Sequence, residues 1–140
     1  MSQQALGDKL TEWAIGACRA FATLPFDLQI VPFASSEEAA SERLIVTCEV
    51  GEKIQSGLQP YECKMTFEFR TVNRSAEEAN DVFAKVEAVL FSSLNNAGSV
   101  ALATSIGLTY LQAFPESAET NLEGGGNFRK YTRTIPLRAM

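Results

Sequence analysis

From Tyr61 to Arg70 the chain reads YECKMTFEFR, with Tyr61, Cys63, Met65, Phe67 and Phe69 alternating with Glu62, Lys64, Thr66, Glu68 and Arg70. A period of two puts the apolar side chains on one face, so the segment predicts a strand with one dry side. RLIVTCEVG upstream repeats the pattern through Leu44, Val46, Cys48 and Val50. Joined by EKIQSGLQP, the two predict an antiparallel hairpin with a longer loop. Elsewhere the apolar spacing changes to three and four. Leu6, Leu10, Trp13, Ala14, Ala17 and Phe21 lie along one stripe of a helix from about 2 to 22, ended by Thr23-Leu24-Pro25. Ala79, Val82, Phe83, Val86, Val89, Leu90 and Leu94 form a second stripe. Ser75 and Glu78 fit a capping box at its start, Glu77, Glu78 and Asp81 suit the positive end of the helix dipole, Asp81 can pair with Lys85, and 95–98 supplies the stop.

Between the first helix and the hairpin, two prolines, two phenylalanines and an acidic cluster predict a crossing loop with one helical turn at Ser36 to Ala40. Beyond the second helix, Ile106, Leu108 and Tyr110 alternate as in a strand, PESAETNLEGGGN reads as a polar loop, and FRKYTRTIPLRAM returns as a last strand carrying Tyr131, Ile135 and Leu137. Pro136 has no N–H to give a ladder, so this strand is expected at a sheet edge, or to stop there. The pattern predicts one α+β domain over 1–140, in the order α-β-β-α-β-β. Its antiparallel sheet of about four strands would pack against two helices, with flexible loops at about 51–60 and 115–127.

Composition is ordinary for a globular chain, with 46% hydrophobic and 21% charged residues. The net charge of −5 hides an asymmetry: residues 1–128 hold 17 acidic and 8 basic side chains, whereas 129–140 hold Arg129, Lys130, Arg133 and Arg138 with no acid. A nucleic-acid-binding face needs a broader basic patch than that. Cys18, Cys48 and Cys63 each fall on an apolar face and form no C-x-x-C pair, so they read as small buried hydrophobes in a reducing cytoplasm. Asp8, Lys9 and Glu12 interrupt any N-terminal apolar leader, and no run approaches the ~18 residues of a membrane span. Asn73-Arg74-Ser75 matches a glycosylation sequon, but Ser75 is better used as the helix cap.

The chain has no histidine, which removes the usual general base, metal ligand and partner of a nucleophile. Gly124, Gly125 and Gly126 are followed by Asn127, Phe128 and Arg129, completing no phosphate-binding loop, and read as a hairpin tip. Glu62 and Glu68 are six residues apart, roughly 20 Å along a strand, too far for shared acid–base work. Trp13 reads as core. No enzyme activity, cofactor or metal is expected. The wet strand face and the basic last strand complement the acidic remainder, which predicts self-association in a ring through Glu62, Lys64, Glu68, Arg70, Arg129, Lys130 and Arg133. The rival from another class is a small-molecule-binding α+β module with its pocket near Trp13, Phe83 and Tyr110.

Taken together, the length, the helix ALGDKLTEWAIGACRAF, the hairpin RLIVTCEVG to YECKMTFEFR, the helix SAEEANDVFAKVEAVLF and the terminal FRKYTRTIPLRAM resemble the tail terminator and tail-completion proteins of long-tailed bacteriophages and prophage tail-like particles. The resemblance covers nearly the whole chain but rests on architecture, since the family has no catalytic motif to match. It implies a structural virion protein, assembled in the host cytoplasm, that forms a ring, usually of six subunits, on the head-proximal end of the tail tube. Such a ring stops tube polymerisation and offers a surface to head-tail connector or neck proteins, and DNA only passes through its lumen. A neck or adaptor role shares this architecture.

Overall fold

The computed structural model describes residues 2–26, 28–32, 42–53, 60–91, 97–122 and 129–140. Among the described residues are three helices, α1 (Gln3–Phe21), α2 (Ala76–Phe91) and α3 (Ala97–Ile106). The strands are β1 (Gln29–Val31), β2 (Arg43–Lys53), β3 (Tyr61–Thr71), β4 (Leu111–Ala113), β5 (Glu119–Asn121) and β6 (Arg129–Ala139). They form one sheet in the order β1-β2-β3-β6-β4, with β5 also paired to β6. β1 runs parallel to β2 and every other pairing is antiparallel.

This corrects the expected four-stranded antiparallel sheet under two helices. The sheet is six-stranded and mixed, a third helix follows the second, and the order is not α-β-β-α-β-β. Three of the extra features escape pattern reading for one reason: β1, β4 and β5 are three residues each, shorter than any periodicity. The third helix was hidden because AGSVALATSI is apolar without a preferred face. Its end is marked instead by Gly107 at φ 104°, with Gly107 N–H donating to Thr104 O and Leu108 N–H to Ala103 O, a Schellman stop.

The two amphipathic stripes were legible. Ser2 caps α1 by accepting from Ala5 N–H at 3.1 Å. The capping box of α2 is complete: Glu78 N–H donates to Ser75 Oγ and Ser75 N–H to Glu78 Oε1, both at 3.2 Å. The hairpin register joins Leu44 to Phe69 and Val46 to Phe67, and on the other side β6 sets Ile135 against Met65 and Tyr131 against Phe69. These residues are buried with Leu6, Leu10 and Trp13 of α1 and Val82, Phe83 and Val86 of α2, so the core lies between one sheet face and the helices. α3 is tied into the helical layer through Ser99, whose carbonyl accepts from Trp13 Nε1 and whose hydroxyl donates to Val89 O, both at 2.8 Å.

Pro136 does not put β6 at an edge. β6 spans eleven residues between β3 and the two short strands β4 and β5. Pro136 O accepts from Phe114 N–H at 2.9 Å, so its backbone polar side faces the gap between β4 and β5. The 3-10 turn Pro115–Ser117 fills that gap. The missing N–H therefore falls where no ladder bond is made. The expected loop at 115–127 is in its first part this turn and β5, and the expected loop at 51–60 begins inside β2. The helical turn at 36–40, Leu94, the glycines 124–126 and residues 54–59 lie outside the described residues.

Candidate assembly surface

Alternation in β3 and β6 sends Glu62, Lys64, Thr66, Glu68 and Arg70, with Lys130, Thr132, Thr134, Pro136 and Arg138, to the face away from the helices. Cross-strand neighbours on that face interact. Arg70 Nε donates to Glu68 Oε2 at 2.6 Å, Lys130 Nζ lies 3.4 Å from Glu68 Oε1, and Thr66 and Thr134 share a hydrogen bond at 3.1 Å. Arg138 approaches Glu62 at 4.0 Å. Near the start of β2, Arg43 and Ile45 occupy the same face but are buried. Five of the seven predicted interface residues, Glu62, Lys64, Glu68, Arg70 and Lys130, are thus brought together on one surface.

The other two stand elsewhere. Arg133 is opposite Phe67 and points to the helical side. Its Nη2 donates to Glu87 Oε1 of α2 at 2.9 Å and its Nη1 to Thr120 Oγ1 at 2.6 Å. Its Nε lies 2.8 Å from Glu87 Oε2 as an ion-pair contact too oblique to count as a hydrogen bond. Arg129 donates from Nη1 to Arg74 O, which also accepts from Tyr131 Oη. Arg74 in turn pairs with Glu42 at 2.7 Å and Glu78 at 3.0 Å and stacks over Phe26 at 4.0 Å. Both arginines hold elements of one chain together.

A further surface was not predicted. A helix apolar all round is ordinarily buried. In α3, however, Ser99 is the buried residue, while Val100 is 54% exposed. Phe21, 49% exposed, lies against Gly98, where a Cβ would come 2.6 Å from its ring. The signal available in the sequence was the aperiodic apolar run itself.

Clefts open on several groups of described residues, among them one along β1 at Arg19, Leu28 and Ile30. One of about 490 Å³ lies on the charged face among Glu49, Glu62, Lys64, Phe114, Pro136 and Arg138. Another of about 640 Å³ runs between α1 and β2, past Asp8, Thr11, Glu12, Ile15, Val46 and Cys48. Of the residues expected to line the rival pocket, Trp13 and Phe83 are buried in the core and Tyr110 is exposed. No group of three acidic, cysteine or histidine side chains that could hold a metal occurs among the described residues. Burial pushes the Cys18 and Cys48 thiols up to about 12 and that of Cys63 to about 11, so all three stay protonated near neutral pH. Compared with known proteins, the chain matches no family model and no curated protein sequence.

Proposed function

We propose that this chain is a ring-forming structural subunit, a tail terminator that closes the end of a phage-type tail tube and offers the surface for head joining. The observation that carries the self-assembling part is α3, which packs Leu102, Ala103 and Ile106 on the core yet leaves Val100 in solvent close to the half-exposed Phe21. Exposed apolar surface concentrated on one element marks an interaction site. The charged face of β3 and β6 supports the same reading, since its ion pairs are partly exposed and can exchange partners between subunits. The tail-specific part rests on the architectural resemblance of the sequence. The reading requires no catalytic group, cofactor or metal.

Light scattering of the purified protein, with negative-stain images, tests it. Ring particles with a mass near six times 15.3 kDa, or rings seated on the ends of purified tail tubes, are the expected result. A chain that stays monomeric and does not bind tube ends would overturn it.

A further inference from the structure

β2 is paired on its outer side by β1 over Arg43–Ile45 alone, and β1 then stops at Pro32. Gln29 N–H donates to Glu42 O, so the even-numbered residues of β2 turn their backbone polar groups outward. The parallel pairing of Val31 with Ile45 still engages Val46 N–H, which leaves Val46 O, Cys48 and Val50 as an edge with no described strand against it, about 14 Å long at 3.4 Å per residue. Side chains of α1 bound it at both ends: Gln3 Nε2 donates to Gly51 O at 2.6 Å, and Arg19 Nε to Ile30 O at 3.1 Å. The 640 Å³ cleft lies along the stretch between them.

At the opposite end of the sheet, β4 pairs with β6 on one side and no described strand on the other. Phe114 N–H donates to Pro136 O and Tyr110 exchanges bonds with Met140, so the even-numbered residues face β6. Leu111 and Ala113 therefore turn outward. Each of the two edges thus offers donors and acceptors at every second residue.

Their phases agree. Val46 and Cys48 point to the helical side of the sheet, and so do Leu111 and Ala113, which oppose Ala139 and Leu137. In an antiparallel ladder, opposed residues share both a bonding state and a face. Following the pairings across the sheet, β4 runs antiparallel to β2. A β4 laid against the free part of β2 would thus continue the sheet with both helical layers on the same side.

We infer that the partner of the free β2 edge is β4 of a second copy of this chain, so that the sheet runs on from one subunit to the next. This rests on the ring reading above. The contact joins two different surfaces, and such heterologous contacts close into rings. It also hides two strand edges that would otherwise remain templates for uncontrolled pairing.

Cysteine cross-linking tests it with the full chain. Gln112→Cys on β4 is combined with either Thr47→Cys or Glu49→Cys on β2, exposed positions of the open face. In the proposed ladder these are non-hydrogen-bonded pairs, where opposed Cβ atoms come closest, about 4.5 Å. Mild oxidation of assembled protein is expected to give a ladder of disulfide-linked oligomers with at least one of the two β2 cysteines. Gln112→Cys alone should give none. Cys48→Pro and Ala113→Pro each delete one outward N–H while sparing the ladders to β3 and β6, and should lower the assembled fraction at least tenfold with the far-ultraviolet spectrum unchanged. If wild-type rings form but neither cysteine cross-links, this interface is wrong and the ring reading stands. A wild-type chain that forms no ring, alone or on tubes, overturns both.

Discussion

Arg133 illustrates how a single residue changes meaning between chain and fold. In the sequence it is one of four cations in a basic tail, whereas in the structure it binds Glu87, 46 positions away, with both side chains about four-fifths buried. Removing either partner strands a charge in a poorly solvated place. A double-mutant cycle of Arg133→Ala and Glu87→Ala, read by urea denaturation, is expected to give a coupling of about 1 to 2 kcal/mol. Glu78 behaves differently, being only partly buried. The N–H of Ser75, and after it the guanidinium of Arg74, hold its carboxyl below the usual 4.5. A folded-state value below the unfolded one adds stability that is complete above pH 4.5 and is lost as pH falls through the folded value. Glu78→Gln should therefore flatten the acid limb of the stability profile below about pH 4.5. The thiols make a third case: with values raised to about 11 or 12, none should react quickly with a disulfide reagent at pH 8, and all three should react in urea.

At the level of elements, local chemistry decides where helices stop and sheets continue. α3 ends because Gly107 adopts φ 104°. An alanine there would meet both the left-handed backbone penalty and Lys9 Nζ at 2.9 Å. Gly107→Ala should cost about 1 to 2 kcal/mol, measured as a lowered urea midpoint. Proline in β6 shows the converse, since a residue that forbids a ladder bond is harmless where neighbouring strands leave a gap. The capping box and both amphipathic stripes could be read from the chain because each is set by residues within a turn or two of one another. α3 could not, because its burial is set by Trp13 and Val89, distant in sequence.

For the whole molecule, the question is which surface meets another chain. Reversal of Arg129 or Arg133 would break contacts within the fold, so the informative charge variants are Arg70→Glu and Lys130→Glu, which lie on the open face. Val100→Glu probes α3 separately. Being more than half exposed, Val100 should tolerate the change within about 0.5 kcal/mol in the isolated chain. The expected outcome for Val100→Glu is an unchanged unfolding midpoint with the light-scattering mass shifted from ring to monomer. Mass retained at the ring value would remove α3 from the interface.

Periodicity and capping act over short separations, so the two amphipathic helices, the β2–β3 hairpin with its dry face, the last strand and the burial of Cys18 and Cys63 are legible in the chain, whereas Cys48 is only partly buried. The sequence also brought five charged residues onto one face, since alternation in a strand is obligatory. Folding sets the rest: β1 lies parallel beside β2, β6 is interior despite Pro136, Arg133 and Arg129 serve the fold, and Val100 of α3 stays in solvent. Each of these depends on which distant segments come to lie side by side, and strands of three residues or an aperiodic apolar run carry no local record of their neighbours.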